Sequence, residues 1–71
     1  MPGFVITTTN GITYEEGQKA YFVPDLAAIG AKNETLGRFT YEADYVVLHF
    51  GGYTISIPEA RIAHIVERNR A

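Results

Sequence analysis

The chain has 71 residues, no cysteine, and six Lys and Arg against eight Asp and Glu, for a formal charge of -2. Disulfides and thiolate metal sites are excluded, two histidines set well apart make a poor zinc site, and the acidic balance argues against a broad basic face for a phosphate backbone. No apolar run approaches the roughly 20 residues of a membrane span and no charged-then-apolar leader is visible, so a cytoplasmic protein without a membrane partner is expected.

Hydrophobic residues make up 46%, with five Tyr and four Phe, the composition of a single small globular domain over residues 1–71. Such a domain buries only about 60% of the surface it exposes when unfolded. A thin core without staples invites a second subunit, and a homo-oligomer is expected.

The first element is Phe4 to Tyr14, two β-rich runs around Asn10-Gly11. A three-residue loop, Thr9-Asn10-Gly11, pairs Thr8 with Ile12 and Ile6 with Tyr14, placing Phe4, Ile6, Ile12 and Tyr14 on one face. A two-residue turn would scatter them. A rival reading takes Thr13-x-x-Glu16 as a capping box that opens a helix through Phe22, against which Gly17 counts. Lys19 to Val23 then reads as a strand ended by Pro24, and residues 25–29 as a short helical turn closed by Gly30. Residues 31–37 read as loop; Asn33-Glu34-Thr35 there matches a glycosylation pattern by chance.

Arg38 to Tyr41 is expected to pair with the strand that begins at Tyr45, across Ala43-Asp44. The clearest signal is Tyr45 to Pro58, two alternating runs joined by Gly51-Gly52. A two-residue turn sets Phe50 against Tyr53, Leu48 against Ile55 and Val46 against Ile57, with all six on one side. Phe39 and Tyr41 extend that apolar side to eight residues. The reverse side carries Arg38, Thr40, Val47, His49, Thr54 and Ser56, with Glu42 and Tyr45 at one end.

Beyond Pro58 the spacing of Ile62, Ile65 and Val66 predicts a C-terminal helix over 58–69, with Ser56-x-x-Glu59 as its capping box. The competing reading is a tight turn at Pro58 to Arg61 followed by a strand, Ile62 to Val66, since three of those five residues are β-branched. In that second form, Val46 to Val66 resembles the latter half of small SH3-like or Sm-like barrels: strand, glycine turn, strand ending in Ile-Pro, tight turn, last strand. The resemblance implies a fold only. The expected fold class is therefore α+β and mostly β, a small antiparallel sheet or partly open SH3/Sm-like barrel of about five strands with a helical turn near 25–29 and the helix 58–69.

No reaction signature is present. Neither G-x-G-x-x-G nor G-x-x-x-x-G-K occurs, the carboxylates lie near turns, and His49 has only hydroxyls as obvious neighbours, so no catalytic residue, metal site or cofactor is expected. The candidate binding residues are Arg38, Tyr45, Val47 and His49 on the reverse side of the sheet, and Arg61, His64 and Arg68, which a helix would align as one basic stripe. They suggest a non-enzymatic interaction module that binds a protein partner. Alternatives are a small anionic ligand or nucleotide held at the sheet face or between subunits by Arg38, His49 and the Arg61/Arg68 stripe, and a nucleic-acid-binding small barrel, which the acidic charge disfavours.

Overall fold

The computed structural model describes residues 3–31 and 33–68. Six strands form two antiparallel three-stranded sheets: β1 Phe4–Thr8, β2 Thr13–Glu15 and β6 Ile62–Glu67 in the order β2-β1-β6, and β3 Arg38–Glu42, β4 Tyr45–Phe50 and β5 Tyr53–Pro58 in the order β3-β4-β5. The sheets do not close into a barrel. Among the described residues one short α-helix, α1 Pro24–Ala28, lies between β2 and β3 in sequence.

The register of the second sheet follows from alternation. Phe50 faces Tyr53, Leu48 faces Ile55, Val46 faces Ile57, and β3 adds Phe39 opposite Leu48 and Tyr41 opposite Val46. A shift by one residue would turn Leu48 and Phe50, both wholly buried, out to water. Of the two turn glycines only Gly51 has positive φ, 67°, the pattern of a type II′ hairpin turn.

The opening hairpin uses the three-residue loop. Ile6 pairs with Tyr14, and the Thr8 N–H donates to the Ile12 carbonyl at 2.8 Å. Gly11 supplies the left-handed residue, φ 85°, that such loops need. The Thr8 hydroxyl, buried with its residue, accepts the Ile12 N–H at 3.1 Å and lies against the Asn10 carboxamide oxygen.

Two expectations fail. Residues 19–23 are not a strand: Lys19 makes a single bridge to Thr35, and Ala20–Phe22 is a 3-10 turn leading into α1. Ala20, Val23 and Leu26 are buried while Phe22 is 69% exposed, a period of three that suits 3-10 and helical backbone. The C-terminal helix is also absent. Pro58 ends β5, Glu59–Arg61 is a 3-10 turn, and the chain returns as β6. No side chain caps that turn; the Glu59 N–H donates instead to the Asp44 carbonyl at 2.8 Å. Residue 69, the end of the expected helix, lies outside the described residues.

The misleading signal has a physical origin. Along β6, His64 is opposite Thr7 and Ile62 opposite Thr8, so Ala63 is an unpaired bulge residue. A bulge places residues three apart on one face of a strand, as a helix would. Ile62 and Ile65 therefore both pack against the core, whereas Val66 is 58% exposed.

Both sheets and the 20–36 segment feed one core. Phe4 and Ile6 from the first sheet meet Val46, Leu48, Phe50 and Ile57 from the second, and Ala20, Val23, Leu26, Ala31 and Leu36 complete the cluster. Phe4 and Phe39 join the sheets edge to face, with ring centroids 4.8 Å apart, a favoured aromatic geometry.

Candidate functional site

The outer side of β3-β4-β5 is laid out by its register as three rows: Arg38, His49, Thr54; then Thr40, Val47, Ser56; then Glu42, Tyr45, Pro58. Val47 occupies the middle of this grid. Neighbours on every side leave it 8% exposed although it faces away from the core, whereas Tyr45 at the rim is 46% exposed. The aliphatic group is thus the floor of the face, and the aromatic one is its accessible projection. Glu42, Ala43, Tyr45, Val47 and Ser56 line a shallow depression of about 560 Å³. Ala43 holds φ 54° there, a left-handed conformation that costs a non-glycine residue roughly 1–2 kcal/mol.

The polar side of the face is ordered by hydrogen bonds. The Thr40 hydroxyl donates to Glu42 Oε2 at 3.1 Å, and its oxygen lies 2.9 Å from His49 Nε2. A hydroxyl has one proton and a carboxylate can only accept. With that proton on Glu42, the contact to His49 is completed by the tautomer in which Nε2–H donates to Thr40. The imidazole lone pair is then on Nδ1, away from the hydroxyl. This direction is opposite to the one that activates a nucleophile, in which the imidazole accepts the hydroxyl proton. In that tautomer the chain Glu42, Thr40, His49 orients the ring.

The other expected site residues are dispersed. His64 is on the outer side of the other sheet, opposite Thr7. Arg61 lies in the 3-10 turn, where its carbonyl accepts the Thr9 N–H at 2.8 Å, and it lines a groove between the β1–β2 loop and β5 that also contains Asp25. Arg68 donates its main-chain N–H to Gly3 at 2.7 Å and shares a cleft of about 380 Å³ with Arg38, Glu16 and Glu67. No helical stripe joins Arg61, His64 and Arg68. The two arginines that line one cleft are accompanied there by two carboxylates, which removes the net positive field an anion site uses. In the neighbouring groove, burial, helped by the charge of Asp25, pushes the Tyr14 hydroxyl above the usual tyrosine range.

Thr40, Glu42 and Ser56 lie on the face as expected and take part in it as much as the candidate binding residues do, and Ala43 joins them at its edge. Register sets Thr40 diagonal to His49, as the sequence reading of its hydroxyl neighbours expected. Among the described residues no group of three or more His, Asp or Glu could hold a metal ion, and no helix is long and apolar enough to cross a membrane. Comparison with protein-family models, curated proteins and solved structures finds no match for the chain.

Proposed function

We propose that this protein is a non-enzymatic interaction module that binds a protein partner through the outer side of β3-β4-β5. The observation that carries the reading is Tyr45, half exposed at the lip of a depression floored by Val47 and Ser56. It is bordered by a polar chain already hydrogen-bonded within the sheet. An aromatic anchor beside an ordered polar rim is the usual anatomy of a protein interface. Side chains ordered before binding also lose less rotamer freedom when the partner arrives. The hydrogen-bond direction at Thr40 favours binding over catalysis.

Affinity capture from an extract of the source cells, comparing wild type with Tyr45→Ser and with Val66→Ser on the other sheet, tests the assignment. A protein retained by wild type and Val66→Ser but lost by a folded Tyr45→Ser supports it. Equal retention by Tyr45→Ser overturns it. Thermal stabilisation by members of a nucleotide panel, abolished in Arg38→Ala, would also overturn it in favour of anion binding.

A further inference from the structure

We propose that the free edge of β5 pairs antiparallel with β5 of a second copy, joining two β3-β4-β5 sheets into one continuous six-stranded sheet. The inference concerns self-association and does not depend on what the outer face binds.

β5 is an edge strand by the order β3-β4-β5, and it lacks the devices that keep edges apart. Its sequence, Tyr53-Thr54-Ile55-Ser56-Ile57-Pro58, has no charge, and its pairing with β4 is regular over all six residues. Natural edges are usually guarded by charge, bulges or brevity. The other three edges of this protein show those guards: β2 has three residues, β6 has the Ala63 bulge, and β3 begins with Arg38 and ends with Glu42. Among the described strands, β5 alone carries no such guard besides the proline at its last position. Thr54, Ser56 and Pro58 are exposed, and the edge opens on a groove of about 440 Å³ whose far wall is the β1–β2 loop, with Ile12, Tyr14, Asp25 and Arg61 in its lining.

Backbone parity selects both the partner and the register. Phe50 and Tyr53 flank the two-residue turn and form its closing hydrogen-bonded pair, so Tyr53, Ile55 and Ile57 direct their main-chain groups to β4. Thr54 and Ser56 direct theirs to the free edge. A two-fold axis at Ile55 sets Thr54 against Ser56 of the second copy and Ser56 against Thr54. Each is a complete hydrogen-bonded pair, and inward and outward faces stay matched. Centring on Ser56 instead would set Thr54 against Pro58, which has no N–H to donate. The strand is therefore complementary to itself in the register centred on Ile55. That is the condition for an isologous dimer.

Ser56→Pro removes an N–H that the β4–β5 ladder does not use, so the protomer keeps its fold while the edge loses a donor and gains a ring. Sedimentation equilibrium from about 1 to 500 µM should show wild type passing from monomer to dimer mass, and Ser56→Pro remaining a monomer with an unchanged far-ultraviolet circular dichroism spectrum. Two double variants test the register: Thr54→Lys with Ser56→Lys sets like charges opposite and should abolish the dimer, whereas Thr54→Lys with Ser56→Glu sets opposite charges facing and should retain it. A wild-type monomer throughout the range overturns the proposal. So does a dimer that survives both Ser56→Pro and the double-lysine variant.

Discussion

Alanine at Gly51 and alanine at Gly52 are adjacent and chemically identical changes for which the hairpin requires different outcomes. Either substitution restricts the unfolded chain and for that reason alone stabilises by about 0.4–1 kcal/mol. The gain is common to both, so the difference between them isolates what each residue does in the folded turn. Gly51 has φ 67° and an added Cβ would lie 3.1 Å from Glu34 Cγ; Gly52 lies outside the left-handed region, with open space around its Cβ position. Left-handed backbone costs an L-residue roughly 1–2 kcal/mol, and Glu34 can turn its flexible stem aside. Gly51→Ala should therefore be less stable than Gly52→Ala by about 1–2 kcal/mol. For a domain of this size that is a difference in Tm of about 4–8 °C for each kcal/mol. Urea denaturation followed by circular dichroism measures it, with m-values expected to agree. Equal stabilities, or Gly52→Ala the weaker, would refute the type II′ turn and with it the assignment of which glycine tolerates a side chain.

The bulge in β6 makes Ile65→Lys destabilising by about 2 kcal/mol or more, from a half-buried core contact, while Val66→Lys stays within about 0.5 kcal/mol; a helical C-terminus would penalise both. Tyr14 has its folded pKa raised by burial and by Asp25, so the unfolded state releases its proton first. The resulting stability is whole below the unfolded value of about 10 and falls as pH rises past it. Tyr14→Phe should make unfolding less sensitive to pH above about 10, measured by urea midpoints against wild type, and identical alkaline slopes would refute it. Nitrogen-15 spectra of neutral His49 should show the Nε2–H tautomer, with Thr40→Val shifting the ring's tautomer balance at a stability cost of about 1 kcal/mol or less; an Nδ1–H tautomer in wild type would reverse the direction of the Glu42, Thr40, His49 chain.

Period-two alternation is a strong local code when glycines and hydrophobes agree. Tyr45 to Pro58 and Phe4 to Tyr14 could be paired residue by residue because one slip in either would invert its buried set. The same reading extended to Phe39 and Tyr41, and its reverse side contained Arg38, Tyr45, Val47 and His49. Residues 19–23 misled because burial there follows a period of three set by the core between the sheets. The helix expected over 58–69 failed because Ile62 and Ile65, three apart, satisfy a helix face and a bulged strand equally. The difference lies in β1, whose unpaired edge accepts β6 as a partner, and that partner is nearly sixty residues away in the chain.

The candidate site divides along the same line. Which residues share the outer face was decided locally, since alternation and turn length leave one arrangement. That Val47 forms a covered floor and Tyr45 the exposed projection depends on how many strands flank each, which no single strand encodes. The separation of Arg61, His64 and Arg68, and the placing of Arg38 and Arg68 along one cleft with Glu16 and Glu67, came from packing the two sheets together. Sequence by itself determined the two hairpins, the pairing of β3 with β4 and the faces of that sheet, because these follow from near neighbours and the pleat. Tertiary structure alone decided the partners of β6, the exposure of each face residue and the company of each arginine, because those depend on contacts between segments whose separation along the chain leaves no local period to read.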